Sequence, residues 1–123
     1  MALVPKLYSV SETFSSSGTV TNLLTVASLS GVSGVLGALS ISPTRSSPSV
    51  SLHTIQLIVD GVTILNTSDS VQIESLRNLL EEGSRIFFRI PFRTSLQLKV
   101  KMSRPSTSGP SKALAMALVL VEE

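Results

Sequence analysis

His53-Thr-Ile-Gln-Leu-Ile-Val-Asp60-Gly61-Val-Thr-Ile-Leu-Asn66 sets two β-rich runs on either side of Asp-Gly. A two-residue hairpin turn needs positive φ at its centre, which Gly adopts freely and Asp tolerates, so this stretch predicts an antiparallel hairpin with Asp60 and Gly61 as its structural turn. By the period of two, Ile55, Leu57 and Val59 share one face and Thr54, Gln56 and Ile58 the other.

Working outward, the same alternation recurs. Ile86, Phe88, Ile90 and Phe92 alternate with Arg85, Phe87, Arg89, Pro91 and Arg93. Leu96, Leu98, Val100 and Met102 alternate with Gln97, Lys99 and Lys101. Each run offers one apolar face to a core and one polar face, as in an antiparallel sandwich. Leu3 to Val10 reads as a first strand whose Pro5 marks a sheet edge. Thr19 to Leu29 and Val35 to Ser42 read as two more, the second bent at Gly37. Ser15 to Gly18, Ser42 to Ser49 and Arg104 to Lys112 are Ser-, Pro- and Gly-rich loops. Ile73, Leu76, Leu79 and Leu80 recur at helical spacing before Gly83, which predicts one short helix over Val71 to Glu82. Glu81 and Glu82 would then sit at the unfavourable end of its dipole.

Ala113 to Val121 is apolar on both faces, with Leu114, Met116, Leu118 and Leu120 on one and small residues on the other. Such a strand must be covered twice, so it is central or it meets another subunit. Ala113, Ala115, Ala117 and Val119 are the candidate subunit interface, because small side chains allow a close approach of sheets. The expectation for residues 1–123 is a single all-β domain, an antiparallel β-sandwich, jelly-roll-like, with one short helix.

Composition narrows the function. Of 123 residues, 42% are hydrophobic and only 15% charged, while 23 are Ser and 10 Thr. Mean hydropathy is +0.39. This is too apolar for disorder and lean in charge for a solitary soluble domain, and it favours self-association. The sequence pI of about 9.4 rests on a net charge of only +2, which argues against nucleic acid as a partner. Without cysteine there is no disulfide, thiolate nucleophile or zinc–thiolate site. Leu23 to Leu39 is interrupted by Ser, Thr and Gly, and the Ala113 to Val121 run falls well short of the roughly 20 residues of a membrane helix. Buried strands explain both, so no membrane partner is expected.

Nothing points to catalysis. His53 is the only histidine, and a lone histidine on a strand reads as a surface or packing residue. Asp60 is explained by its turn, and no Gly-x-Ser-x-Gly elbow occurs. Gly31, Gly34 and Gly37 have the wrong spacing for a dinucleotide loop and read as a turn followed by a close strand crossing. No cofactor is expected. Arg85, Phe87, Arg89 and Arg93 project to one side of their strand, and with Lys99 and Lys101 on an adjoining strand they are a candidate polyanion strip. The competing reading is an ordinary solvent face or a subunit contact, and the modest net charge favours it.

The segment Ser30-Gly-Val-Ser-Gly-Val-Leu36, the strand ending Val59-Asp60-Gly61 and the run Ile90-Pro-Phe-Arg-Thr-Ser-Leu-Gln-Leu-Lys-Val100 occur in that order. This order resembles the small β-sandwich structural proteins of tailed bacteriophages: head decorations, head fibres, collars and tail or baseplate attachments. The resemblance implies a virion location and a non-enzymatic structural role, with the chain itself and other virion proteins as partners. The alternative is a carbohydrate- or receptor-binding module on a virion or cell surface, for which Tyr8, Phe14 and Phe87 are the candidate aromatics.

Overall fold

The computed structural model describes residues 2–14, 20–42, 51–67, 81–82, 85–103 and 111–123. Their strands are β1 (Leu3–Phe14), β2 (Leu24–Ser30), β3 (Gly34–Ser42), β4 (Ser51–Val59), β5 (Val62–Thr67), β6 (Glu81–Glu82), β7 (Arg85–Phe92), β8 (Ser95–Ser103) and β9 (Ser111–Glu122). No helix occurs among the described residues. The strands pair antiparallel into two sheets, ordered β1-β9-β3-β7-β6 and β2-β8-β4-β5. The fold is all-β, and one hydrophobic cluster draws on both sheets: Leu36, Leu39, Phe88 and Val119 from the first, Ile55, Leu57, Leu98 and Met102 from the second. Two sheets sharing one core make the molecule sandwich-like.

The period-two pattern explains this layering. In β8 burial alternates without a break, and Leu96, Leu98, Val100 and Met102 are all removed from solvent. β8 lies between β2 and β4, so its ladder is satisfied on both sides and its apolar row is free to face the other sheet. β7 repeats this with Ile86, Phe88 and Phe92 inward and Phe87, Arg89 and Pro91 outward.

The decisive hairpin forms as its turn chemistry requires. β4 and β5 pair from Val59↔Val62 onward, and Asp60 and Gly61 have φ of 51° and 80°. The glycine-bearing crossing is equally specific at Gly34, which pairs with Phe92 on one side and Val121 on the other. A Cβ at Gly34 would lie 2.1 Å from the Leu120 carbonyl oxygen, so only glycine fits between these strands. The bend expected at Gly37 coincides with a register shift between Leu36 and Ala38 in both of the β3 pairings.

Some boundaries differ from the sequence expectation. β1 continues through Phe14, and β2 begins only at Leu24, with Val20 forming an isolated bridge to Ser103. Pro5 does lie in an edge strand. The helix expected over Val71 to Glu82 falls largely outside the described residues. Its last two members, Glu81 and Glu82, are extended and pair with Ile86 and Arg85. The edge of β7 offers them unpaired backbone groups, and a strand has no large dipole to oppose their charge. The loop expected at Ser15 to Gly18 lies outside the described residues, as do residues 43–49 and 104–110 of the loops expected at Ser42 to Ser49 and Arg104 to Lys112, but Ser42 ends β3 and Ser111 and Lys112 open β9.

Candidate functional site

The two faces of β9 decide which surface is free. Ala113, Ala115, Ala117, Val119 and Val121 are buried in the shared core, whereas Leu114, Met116, Leu118 and Leu120 are half-buried on the outer side of the sheet. The expected interface therefore needs correction. Ala113, Ala115, Ala117 and Val119 cannot meet another subunit, because they are buried within the chain itself, in the core they share with Leu57 and Leu98 of the other sheet. Alternation fixes which residues share a face, but not which face turns inward. β9 is central, between β1 and β3, and the side left for contact is its leucine-rich row.

The neighbouring strands extend that row into a surface. Across the sheet the register aligns Leu7, Leu118, Ala38 and Phe87 at one level and Pro5, Leu120, Val35 and Pro91 at the next. Leu7 is 67% exposed and Phe87 39%. On β1 the outward residues Leu3, Pro5, Leu7, Ser9, Ser11 and Thr13 carry no charge. Charge gathers on the β7 side, where Arg89 and Arg93 are exposed, and at the ends of β9, in Lys112 and Glu122.

Phe87 and Arg89 do share this outer face, Arg93 is exposed in the turn just past the end of their strand, and the Arg85 backbone continues the strand beside Ser40. Lys99 and Lys101 do not join them. The chain crosses from one sheet to the other between β7 and β8, so these lysines lie in the four-stranded sheet beside Gln56 and Thr54. The basic strip is thus split between two sheets.

Asp60 carries a second role that the turn reading missed. Its Oδ1 accepts hydrogen bonds from the backbone N–H groups of Arg93 (3.0 Å), Thr94 (2.8 Å) and Ser95 (3.1 Å) and from the Thr94 hydroxyl (3.1 Å). Its Oδ2 accepts from Arg93 N–H at 3.1 Å, and its own N–H donates to the Ser95 carbonyl at 3.0 Å. The backbone donors of Thr94 and then Ser95 pull its pKa down from 3.8 to about 2. The β4–β5 turn is thereby fastened to the turn through which β7 passes to β8. Gly31 N–H donates to the Thr94 carbonyl at 2.8 Å, which ties the β2–β3 connection to the same point. The only sequence signal was the Asp-Gly pair, and it points to the turn alone, since the partner is over thirty residues away.

Beside this end, Lys6 Nζ pairs with Glu123 Oε1 at 2.5 Å and the Ser33 hydroxyl donates to Glu122 Oε2. The ion pair raises the Lys6 pKa. His53 sits half-buried at a register irregularity of β4, with Nδ1 2.8 Å from Thr54 Oγ1. Of the three aromatics considered for glycan contact, Phe14 is buried in the core and Tyr8 packs against it, leaving only Phe87 substantially exposed. Comparison with protein families, curated proteins and solved structures finds no match.

Proposed function

We propose that this chain is a non-enzymatic structural subunit of a bacteriophage particle, which works by assembling with copies of itself and with other virion proteins. The observation that carries the assembly reading is the outer face of β1, β9 and β3. There Leu7, Leu118, Leu120 and Val35 form a contiguous apolar surface with no charge among them. Exposed contiguous apolar surface of this kind marks an interaction site. The virion setting rests on the sequence resemblance.

The strand order supports reading the sandwich as a jelly roll. Leaving aside the two-residue β6, eight strands pair as 1-9-3-7 and 2-8-4-5, the arrangement produced by two nested Greek keys. That architecture hosts capsid proteins, lectins and cupins alike, so topology does not choose among functions. The outer face favours assembly over the glycan-binding reading, which needs exposed aromatic platforms: Phe14 and Tyr8 are turned to the core, and of the three candidates Phe87 alone is exposed.

The test is self-association measured by sedimentation velocity on the wild-type chain and on Leu7→Glu. Leu7 is exposed, so its replacement leaves the fold intact. The wild type is expected to form oligomers that Leu7→Glu dissociates. A wild type that stays monomeric at high concentration and shows no affinity for virion proteins overturns the reading.

A further inference from the structure

The outer face of the five-stranded sheet is complementary to itself. The level Leu7, Leu118, Ala38, Phe87 has its most exposed apolar side chains at its two ends, with a large and a small residue between. The next level, Pro5, Leu120, Val35, Pro91, repeats the order: proline at each end, the larger aliphatic on β9 and the smaller on β3. β9 is therefore a ridge and β3, with Val35, Gly37, Ala38 and Ser40 outward, a shallow trough beside it.

We infer that the occupant of this face is a second copy of the chain, docked face to face about a two-fold axis running parallel to the strands between β9 and β3. The inference rests on the assembly reading and names its partner and geometry. A two-fold interface brings one patch onto itself, so each residue must meet a suitable counterpart in the same patch. Under this operation each level is reversed onto itself. Leu118 enters the partner's trough at Ala38, Leu120 lies over the partner's Val35, and Leu7 covers the partner's Phe87, each contact occurring twice.

Charge selects this axis over the alternative. Gly34 pairs with Phe92 and Val121, so Arg93 and Glu122 flank the start of β3 on either side. Reversal sets the Arg89 and Arg93 margin of β7 over the partner's β1, whose outward residues are uncharged, and places Arg93 over the partner's Leu3, with the partner's Glu122 on the adjoining strand. A two-fold axis across the strands would instead stack each β7 on the partner's β7 and bring arginine against arginine. Such like-charge contact costs enough to exclude a wrong arrangement.

The chain has no cysteine, which makes cross-linking a clean test. Leu7→Cys and Phe87→Cys are made singly and together, then treated with a short bismaleimide. Within one copy the two positions are three strands apart, about 14 Å at the usual strand spacing, beyond a short linker. The double variant is expected to give a covalent dimer and each single variant none. In parallel, Arg93→Glu is expected to weaken association about tenfold, and adding Glu122→Arg to restore it, the signature of a direct charge contact. A wild type that oligomerises while the double-cysteine variant stays uncross-linked and the charge pair shows no rescue overturns the two-fold geometry and leaves assembly standing. A monomeric wild type overturns both.

Discussion

Asp60 stands at positive φ while its carboxylate collects donors from Arg93, Thr94 and Ser95, and Asp60→Asn separates the two roles. Asparagine suits this turn at least as well as aspartate. If only the turn mattered, the substitution would be neutral or stabilising; the carboxylate network predicts a lower Tm. The sign of the pH effect follows from the depressed pKa. Asp60 binds protons more weakly folded than unfolded, so its stabilisation is present above about pH 4 and is lost as pH falls through about 2. Thermal melts of wild type and Asp60→Asn between pH 5 and pH 2 should converge as the acid limit is approached. Gly61→Val forces a β-branched residue to a φ of 80° and should cost more than about 1 kcal/mol. Gly34→Ala should cost about 1–3 kcal/mol in denaturant unfolding, since its Cβ would collide with the Leu120 carbonyl. At this scale the turn residues were legible in the sequence, because positive φ leaves a local compositional mark. The Asp60 network was not, because its donors are backbone groups, which no side-chain pattern announces.

β9 shows where pattern reading stops. Its two rows were legible, and so was the need to cover both, but the row assigned to contact was the buried one. The large side chains of the opposite sheet fill the core there, and the space left suits Ala113, Ala115 and Ala117. This makes a paired prediction. Ala115→Glu places an uncompensated charge in the core, at about 3–5 kcal/mol, a large fraction of the roughly 5–15 kcal/mol that holds a domain folded. Circular dichroism should show it unfolded or severely destabilised. Leu118→Glu, two positions on from Met116 in the outer row, should keep the β spectrum and lose self-association. β7 and β8 were read correctly as strands because both alternate strictly. Their placement in different sheets was not legible, since a two-residue turn predicts a hairpin more readily than a crossing. That crossing is what separates Lys99 and Lys101 from the arginines. Heparin binding by the β7 face should accordingly be weak, and strong binding lost in an Arg89→Ala, Arg93→Ala variant would restore the polyanion reading.

For the whole molecule, a sandwich-like fold leaves one outer face whose centre, on β1, β9 and β3, is apolar and uncharged, and that face gives a reason for the chain's composition. A low charge fraction costs a lone protein solubility, but it suits a subunit whose broad sheet face is covered by a neighbour. The all-β class was legible from the alternating runs. Which side of which sheet stays open was not, because it depends on strand order, and strand order is set by pairings between residues as distant as Leu3 and Glu122. Assembly through the outer face is decided by molar mass from multi-angle light scattering, taken across a concentration series for the wild type and Leu118→Glu. The wild type is expected at no less than twice the mass of one chain, falling to the monomer in Leu118→Glu with the fold retained. A wild type of monomer mass at every concentration, indistinguishable from Leu118→Glu, overturns assembly through this face.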